Sequence, residues 1–416
     1  MRKITTILII ALFSKVPAWS QNNTSAYSII GIGDIENSYF DRSYGMGNSG
    51  VSLFSGKAMY HANPASYSRL DDHFFAVEMA GRYKGVTYNS DQISSTGNSS
   101  DFQIEKLAMA IKIKPWWGIS FGILPFSSSN YSFHAPKDVQ GSNASINGYY
   151  TGTGGVHKFY LANAFTPFKN FSVGVESAFL SGSLSQTENL PTDNVIGSAI
   201  TTQRDIYLSK MYYKFGALYN TRISKKWSVS AGATFSNKTT MNADYSLTVT
   251  DGSQTIVSDE KYKTGYFTLP IMYTGGISAT YNDKWTFATD FTQQQWTDIG
   301  YKGLTYQLVN SNRISAGVEY SKKLYYQGLK FEKYYVQAGG FYGGSYLQMY
   351  NTQLKTYGAT VGLGLNSRRS ALSYQFNLEV GQFGTTQKNL LQQNYVQVGV
   401  MLSYRDFWFT KVKKYD

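Results

Sequence analysis

Leu372-Ser373-Tyr374-Gln375-Phe376-Asn377-Leu378-Glu379-Val380-Gly381 alternates a large apolar side chain with a small or polar one at every step. Period two places each set on its own face of an extended strand. The same pattern recurs where Trp227, Val229, Ala231, Ala233 and Phe235 interleave with Ser228, Ser230, Gly232, Thr234 and Ser236, and where Val396, Val398, Val400, Leu402 and Tyr404 interleave with Gln397, Gly399, Met401 and Ser403. A soluble sandwich buries its apolar face against a second sheet, whereas a barrel in lipid turns that face outward.

Working outward from these strands, about fourteen such segments follow one another, at 73–89, 101–114, 118–127, 148–166, 170–186, 204–222, 226–246, 256–281, 284–296, 309–322, 333–346, 353–366, 369–384 and 394–405. An even number suits a bacterial single-chain barrel, and several segments exceed the roughly nine to eleven residues a tilted strand needs to cross. The connections sort into two kinds. Those at Lys114-Pro115-Trp116-Trp117, Thr166-Pro167-Phe168-Lys169, Ser224-Lys225-Lys226, Asn282-Asp283-Lys284 and Ser367-Arg368-Arg369 are tight, while 127–147 and 187–203 are long and rich in Ser, Asn, Thr and Gly. Short turns on one side and long loops on the other are expected of outer-membrane barrels. Lys322 to Lys333 reads as a longer turn on the short side. Trp116, Trp117, Trp227 and Trp285 sit beside tight turns and Trp408 follows the last strand. Indole prefers the headgroup level, so this reads as a girdle at one interface. The fold class expected is all-β, a transmembrane antiparallel β-barrel of about 14 strands with an N-terminal hatch or plug.

The composition fits: Gly 39, Tyr 35 and Phe 25 stand against Pro 8, with no cysteine. Residues 1–20 read as a secretory signal peptide, with Met1-Arg2-Lys3, an apolar run from Ile4 to Phe13 and Ala18-Trp19-Ser20 before the cleavage point. Its loss removes Arg2, Lys3 and Lys15 and takes the formal charge from +12 to +9. The cations are scattered, without an Arg-rich helix, which argues against nucleic acid and for a negative lipid surface or an acidic saccharide outside the cell. Domains are then 1–20 signal peptide, 21–72 plug segment, 73–405 barrel and 406–416 basic periplasmic tail. The destination is the outer membrane of a Gram-negative cell.

The plug candidate runs from Arg42-Ser43-Tyr44-Gly45-Met46-Gly47-Asn48-Ser49-Gly50-Val51 to Tyr60-His61-Ala62-Asn63-Pro64-Ala65-Ser66-Tyr67. Glycine admits backbone conformations closed to other residues, and the residue before proline is pushed out of the helical region. Such a segment turns often and packs closely. Alternation also marks Glu78, Arg82, Lys106, Lys112, Glu176, Lys214, Asp290, Arg313, Glu319 and Glu379 as inward charges. Mixed signs suit pairing across the lumen better than a selective path, because buried charges persist when paired.

Enzyme signatures are thin. His61, His73, His134 and His157 stand at no metal-ligand spacing, and no Gly-x-Ser-x-Gly elbow occurs. Gly152-Thr153-Gly154-Gly155 lacks the Lys-Ser/Thr of a phosphate loop. No catalytic residue, metal or cofactor is expected.

Arg42 to Val51 together with Asn63-Pro64-Ala65-Ser66-Tyr67 resembles the start of the FadL-type family of outer-membrane hydrophobic-compound transporters. Gly152 to Phe165 is similar to that family's fourth-strand region, and Gly384-Thr385-Thr386 through Asn394-Tyr395 to Trp408-Phe409 is similar to a less characterised branch related to PorV-type barrels. The resemblance implies a hatch inside a fourteen-strand barrel, a hydrophobic ligand between hatch and wall, and sideways release at a kink in the third strand. By position it places Gly45, Met46, Gly47 and Asn48 in the hatch, Asn63, Pro64 and Ala65 at its junction with the wall, and Pro125 at the lateral gate. Proline cannot donate to a strand ladder, which suits an interruption there.

Two functions follow as expectations. One is passive uptake of a hydrophobic or amphipathic small molecule, gated by the hatch, with outer-membrane lipid as the surroundings. The alternative is a non-transporting barrel that serves as subunit or scaffold of an outer-membrane secretion or biogenesis machine, with envelope proteins as partners.

Overall fold

The computed structural model describes residues 25–91, 97–138, 145–191, 198–326, 329–367 and 371–407. The expected signal peptide, Trp408 and the tail beyond Phe407 lie outside these residues. Fourteen antiparallel strands form a closed wall, three of them resuming after a two-residue break. In chain order they are β1 (Phe74–Asn89), β2 (Gly97–Lys114), β3 (Trp117–Ser128, resuming at Tyr131–Asp138), β4 (Ser145–Phe168), β5 (Phe171–Leu190), β6 (Ile200–Arg222) and β7 (Trp227–Ser236, resuming at Thr239–Asp251). They continue with β8 (Gln254–Leu269, resuming at Met272–Tyr281), β9 (Trp285–Gln294), β10 (Ser311–Tyr326), β11 (Leu329–Met349), β12 (Thr352–Asn366), β13 (Leu372–Gly384) and β14 (Gln392–Phe407). The last strand closes on the first, from Phe407 opposite Phe74 to Gln392 opposite Asn89.

The alternation read from the sequence is a difference between outside and inside. Leu372, Tyr374, Phe376, Leu378 and Val380 of β13 are exposed, while Ser373, Gln375, Asn377 and Glu379 are buried. This inverts the burial of a soluble sheet and leaves an outer belt of apolar side chains for hydrocarbon. Strand edges in the belt need partners, because lipid offers no hydrogen bonds, and closure of the wall provides them along most of its circumference, the β2–β3 seam beyond Leu107 excepted.

The strands outrun their expected ends. Among their described residues, the stretches 127–147 and 187–203 expected as long loops are mostly strand: Tyr131–Asp138 pairs with Ser145–Gly152, and β5 and β6 stay in register up to Leu190 opposite Ile200. Above the bilayer a strand has no lipid to face, so its sequence loses apolar alternation and reads as polar loop while its backbone pairs on. The expected longer turn over Lys322–Lys333 is also corrected, since β10 runs to Tyr326 and β11 starts at Leu329, the two residues being paired. Asp406 and Phe407, assigned to the tail, extend β14 instead.

The outer belt sets the first expectation. Leu378→Arg puts a guanidinium on the lipid face and costs about 2–4 kcal/mol near the bilayer midplane. Urea titration in lipid vesicles, read by the gel-mobility difference between folded and unfolded barrel, checks it. An unchanged midpoint would place this face out of lipid.

Candidate functional site

Residues 25–72 lie inside the wall, and their geometry is built from short turns. Tyr44–Met46 is one 3-10 turn, closed by Gly47 and Asn48 with φ of 69° and 63° in the left-handed region. Pro64–Arg69 is a second, begun by Asn63, whose Oδ1 accepts from the Ala65 amide at 3.0 Å with Pro64 in the first turn. The Asn63 side-chain amide donates to Val51 O and to Ala217 O on β6, 2.9 Å each, so one residue caps a helix and fastens it to the wall.

Around the lumen, strand after strand offers a glycine where this segment touches. A Cβ on Gly118 of β3 would lie 2.1 Å from Tyr67 O; on Gly232 of β7, 2.1 Å from Val51 O; on Gly317 of β10, 2.5 Å from the Met46 Cα. Gly174 and Gly339 meet the segment's backbone in the same manner, Gly216 meets the Asn63 and Pro64 side chains, and a Cβ on Gly362 would lie 3.1 Å from the Gly45 Cα. Much of the glycine content is therefore steric: it lets the segment's backbone sit directly on the wall. Hydrogen bonds finish each seat. Thr360 Oγ1 accepts from Gly47 N at 2.8 Å and donates to Gly45 O at 2.9 Å, and Asp290 accepts from Gly50 N and Val51 N at 2.7 and 2.9 Å.

Charge is paired across the same contact. Arg42 reaches Glu319 at 2.6 Å and Glu332 at 2.7 Å, with its guanidinium 4.0 Å from the Tyr335 ring centroid. Gln337 donates to both Arg42 O and Glu319 at 2.7 Å. Lys106 pairs with Glu78 at 2.6 Å, Lys158 with Glu176 at 2.8 Å, and Arg82 bridges Glu105 at 2.7 Å and Glu36 at 3.0 Å. Lys112 donates to Ser68 O. Within the segment, burial pushes the Asp41 carboxyl up, opposed by Lys106 and by hydrogen bonds from Ser43 and the His61 amide. Burial, with Lys106, Lys158 and Lys214 nearby, drives His61 well below the usual histidine range. His61 is thus neutral at pH 7, its Nδ1 2.7 Å from the Tyr67 hydroxyl.

Gly45, Met46, Gly47, Asn48, Asn63, Pro64 and Ala65 are all buried. Nine of the ten charges singled out from the sequence are buried as well, and Arg313 is half-buried, 3.4 Å from Asn37 O and Gly47 O. Above the seats a cavity of about 300 Å³ remains. Asn48, Arg82, Pro125, Lys214, Asp290, Arg313 and Glu379 line it, together with Asp34, Glu36, Lys84, Lys158, Leu124, Phe126, Tyr212 and Trp296. Gly45, Met46, Gly47, Asn63, Pro64, Ala65, Glu78, Lys106, Lys112, Glu176 and Glu319 do not reach it. At the end away from the tight turns, residues 25–33 are fastened to the wall: Tyr27 Oη donates to Leu391 O and accepts from Leu391 N at 2.8 Å, Ser127 donates to Ile32 O at 2.7 Å, and Tyr346 donates to Gly33 O at 3.2 Å.

Pro125 marks a break in the wall. The β2–β3 ladder ends with Leu107 opposite Ile123, and among the described residues Gly97–Lys106 pairs only with β1. A bulge separates Pro125 from Ser127 on the β4 side. Beyond it the free edge of β3 pairs with Asp34 and Ile35 of the segment, and Glu36 N donates to Phe126 O at 3.0 Å. Glu105, Lys158 and Glu332 were missed by sequence reasoning, and Arg42 was read as the start of the plug but not as a partner of two carboxylates. Glu105 sits in a β-bulge that turns it and Lys106 inward together, which breaks strict alternation. Lys158 was legible, since it shares a face with Ala162 and Ala164.

These features define an outer-membrane β-barrel of fourteen strands whose lumen is occupied by its own N-terminal segment. The chain belongs to the BamG family, whose model matches residues 1–416. Among solved structures it is similar to the toluene transporter TodX of P. putida, at 15% identity, 84% of this chain, 94% of that chain and a TM-score of 0.58. It is also similar to a FadL homologue of Pseudomonas aeruginosa, at 12% identity, 91% and 100% coverage and a TM-score of 0.60. The CymD monoaromatic hydrocarbon channel aligns at 14% identity, 90% and 97% coverage and a TM-score of 0.55. No curated protein sequence matches the chain. At such identities the likeness speaks for the FadL-type fold.

Two substitutions test the seats. Gly118→Ala forces its new methyl onto Tyr67 O and costs about 1–3 kcal/mol, whereas Gly275→Ala, with nothing within 4 Å, is neutral; urea midpoints of the two variants give the comparison. Arg42→Met strands Glu319 and Glu332 beside each other, at a cost of about 3–5 kcal/mol. Protease susceptibility of residues 25–72 in that variant should rise while the wall stays resistant.

Proposed function

We propose that this barrel is a non-transporting subunit of an outer-membrane assembly machine. The observation that carries the reading is the way residues 40–70 are fastened to the wall on every side, by glycine seats, by Thr360 and Asp290, and by the Arg42–Glu319–Glu332 cluster. Opening that contact would leave buried carboxylates without partners, so the segment serves as core. The remaining cavity of about 300 Å³ is compatible with this role, because Asp34, Glu36, Arg82, Lys84, Lys158, Lys214, Asp290, Arg313 and Glu379 stand in its lining beside Leu124, Phe126 and Trp296, so an apolar ligand there would lie against charged groups. The family match over the whole chain supports a place in envelope biogenesis.

A tagged chain purified in mild detergent from its native membrane is expected to bring down, in stoichiometric amount, the large barrel subunit that inserts outer-membrane proteins. Recovery of the chain alone overturns the proposal. A second reading, passive uptake of a hydrophobic compound with the segment as hatch, is favoured by the break beside Pro125, where a lumen ligand could leave sideways. Uptake of a radiolabelled monoaromatic compound that falls on deletion of the chain, and is restored by the wild type, would establish it.

A further inference from the structure

On the tight-turn side, four rings from four successive strands stand at one level of the outer face. Trp227 of β7 pairs in register with Tyr281 of β8, Tyr281 with Trp285 of β9, and Trp285 with Tyr320 of β10. The ring centroids of Trp227 and Tyr281 are 4.9 Å apart and those of Trp285 and Tyr320 are 4.8 Å apart. One step towards the turns is a row of cations: Lys226 precedes Trp227, Lys284 precedes Trp285, and Lys322 follows Tyr320 by two. The turns are fastened together, with Asn282 N donating to Lys226 O and Ser321 N donating to Lys284 O, 2.8 Å each, so the lysine backbones hold a fixed spacing. Lys226, Lys284 and Lys322 are exposed and, among the described residues, none has an ion-pair partner; Arg222 and Lys225 beside them are the same.

We propose that this row binds an anionic phospholipid of the periplasmic leaflet, its phosphate on Lys226, Lys284 and Lys322 and its glycerol and first methylenes on the Trp227–Tyr281–Trp285–Tyr320 rings. Indole and phenol rings settle at the headgroup level, and lysine carries its charge beyond them to the phosphates. A site for an acidic protein would need only the lysines. The aligned rings require a ligand that is charged at one end and apolar at the other, and short turns put this rim in the periplasmic leaflet. The inference is independent of whether the barrel scaffolds or transports.

The test uses the full-length barrel in phosphatidylcholine vesicles, with tail-brominated phosphatidylglycerol or tail-brominated phosphatidylcholine added as the quencher of tryptophan fluorescence. The phosphatidylglycerol probe is expected to quench preferentially, by on the order of fivefold in apparent affinity per lysine engaged. That preference should vanish in Lys226→Gln/Lys284→Gln/Lys322→Gln, while the fold, read by gel mobility, is kept. In Trp227→Phe/Trp285→Phe the preferential part of the quenching should be lost. Equal quenching by the two lipids overturns the proposal, as does a preference that survives the triple variant. Capture of an acidic periplasmic protein by the same lysines, with no lipid preference, would reassign the surface.

Discussion

A barrel whose outer face is committed to hydrocarbon must put its polar residues inside, and there each needs a partner. The requirement is severe because so many strands contribute charge. Glu78, Lys106, Glu176, Asp290, Glu319 and Glu379 are all nearly excluded from solvent, and a lone buried charge is far costlier than a paired one. Part of the answer is wall against wall, as in Lys106–Glu78 and Lys158–Glu176. The rest comes from the N-terminal segment, which brings Arg42 to two carboxylates, two amides to Asp290 and Glu36 to Arg82.

The same constraint explains the glycines. A segment that satisfies inward polar groups through its backbone must approach within hydrogen-bond reach, and side chains on the wall would hold it off. Hence the bare positions at Gly118, Gly174, Gly216, Gly232, Gly317, Gly339 and Gly362. The segment in turn is rich in glycine and small residues from Tyr44 to Gly50, so the contact is thin on both sides.

The fold was legible because lipid imposes a period. Wherever a strand faces hydrocarbon, as at Leu372–Val380, alternation is strict. Where β3, β4, β5 and β6 pass above the bilayer, only backbone pairing persists, and Tyr131–Asp138 and Ile200–Gln203 read as loop. The inward charges were legible for the same reason, and Glu105 was lost at a bulge that no composition rule announces. What stayed hidden was pairing. Nothing in Arg42-Ser43-Tyr44 names Glu319 and Glu332 as partners, since such matches are set by three-dimensional register. Pro125 was readable as an interruption, but the way Asp34 and Ile35 replace β2 along the β3 edge was not.

The separations of these contacts along the chain bear on how the molecule is made. Arg42 meets a residue 277 positions away, Gly45 one 315 away, Tyr44 one 353 away and Tyr27 one 364 away. The contacts of Tyr27, Arg42, Tyr44 and Gly45 therefore cannot be completed until β10 to β14 exist. Contacts of such range form late, because loop closure comes before any reward. Filling of the lumen and the meeting of β14 with β1 then belong to one concluding step of assembly. A chain truncated before β11 would carry its own core as an unfolded leader.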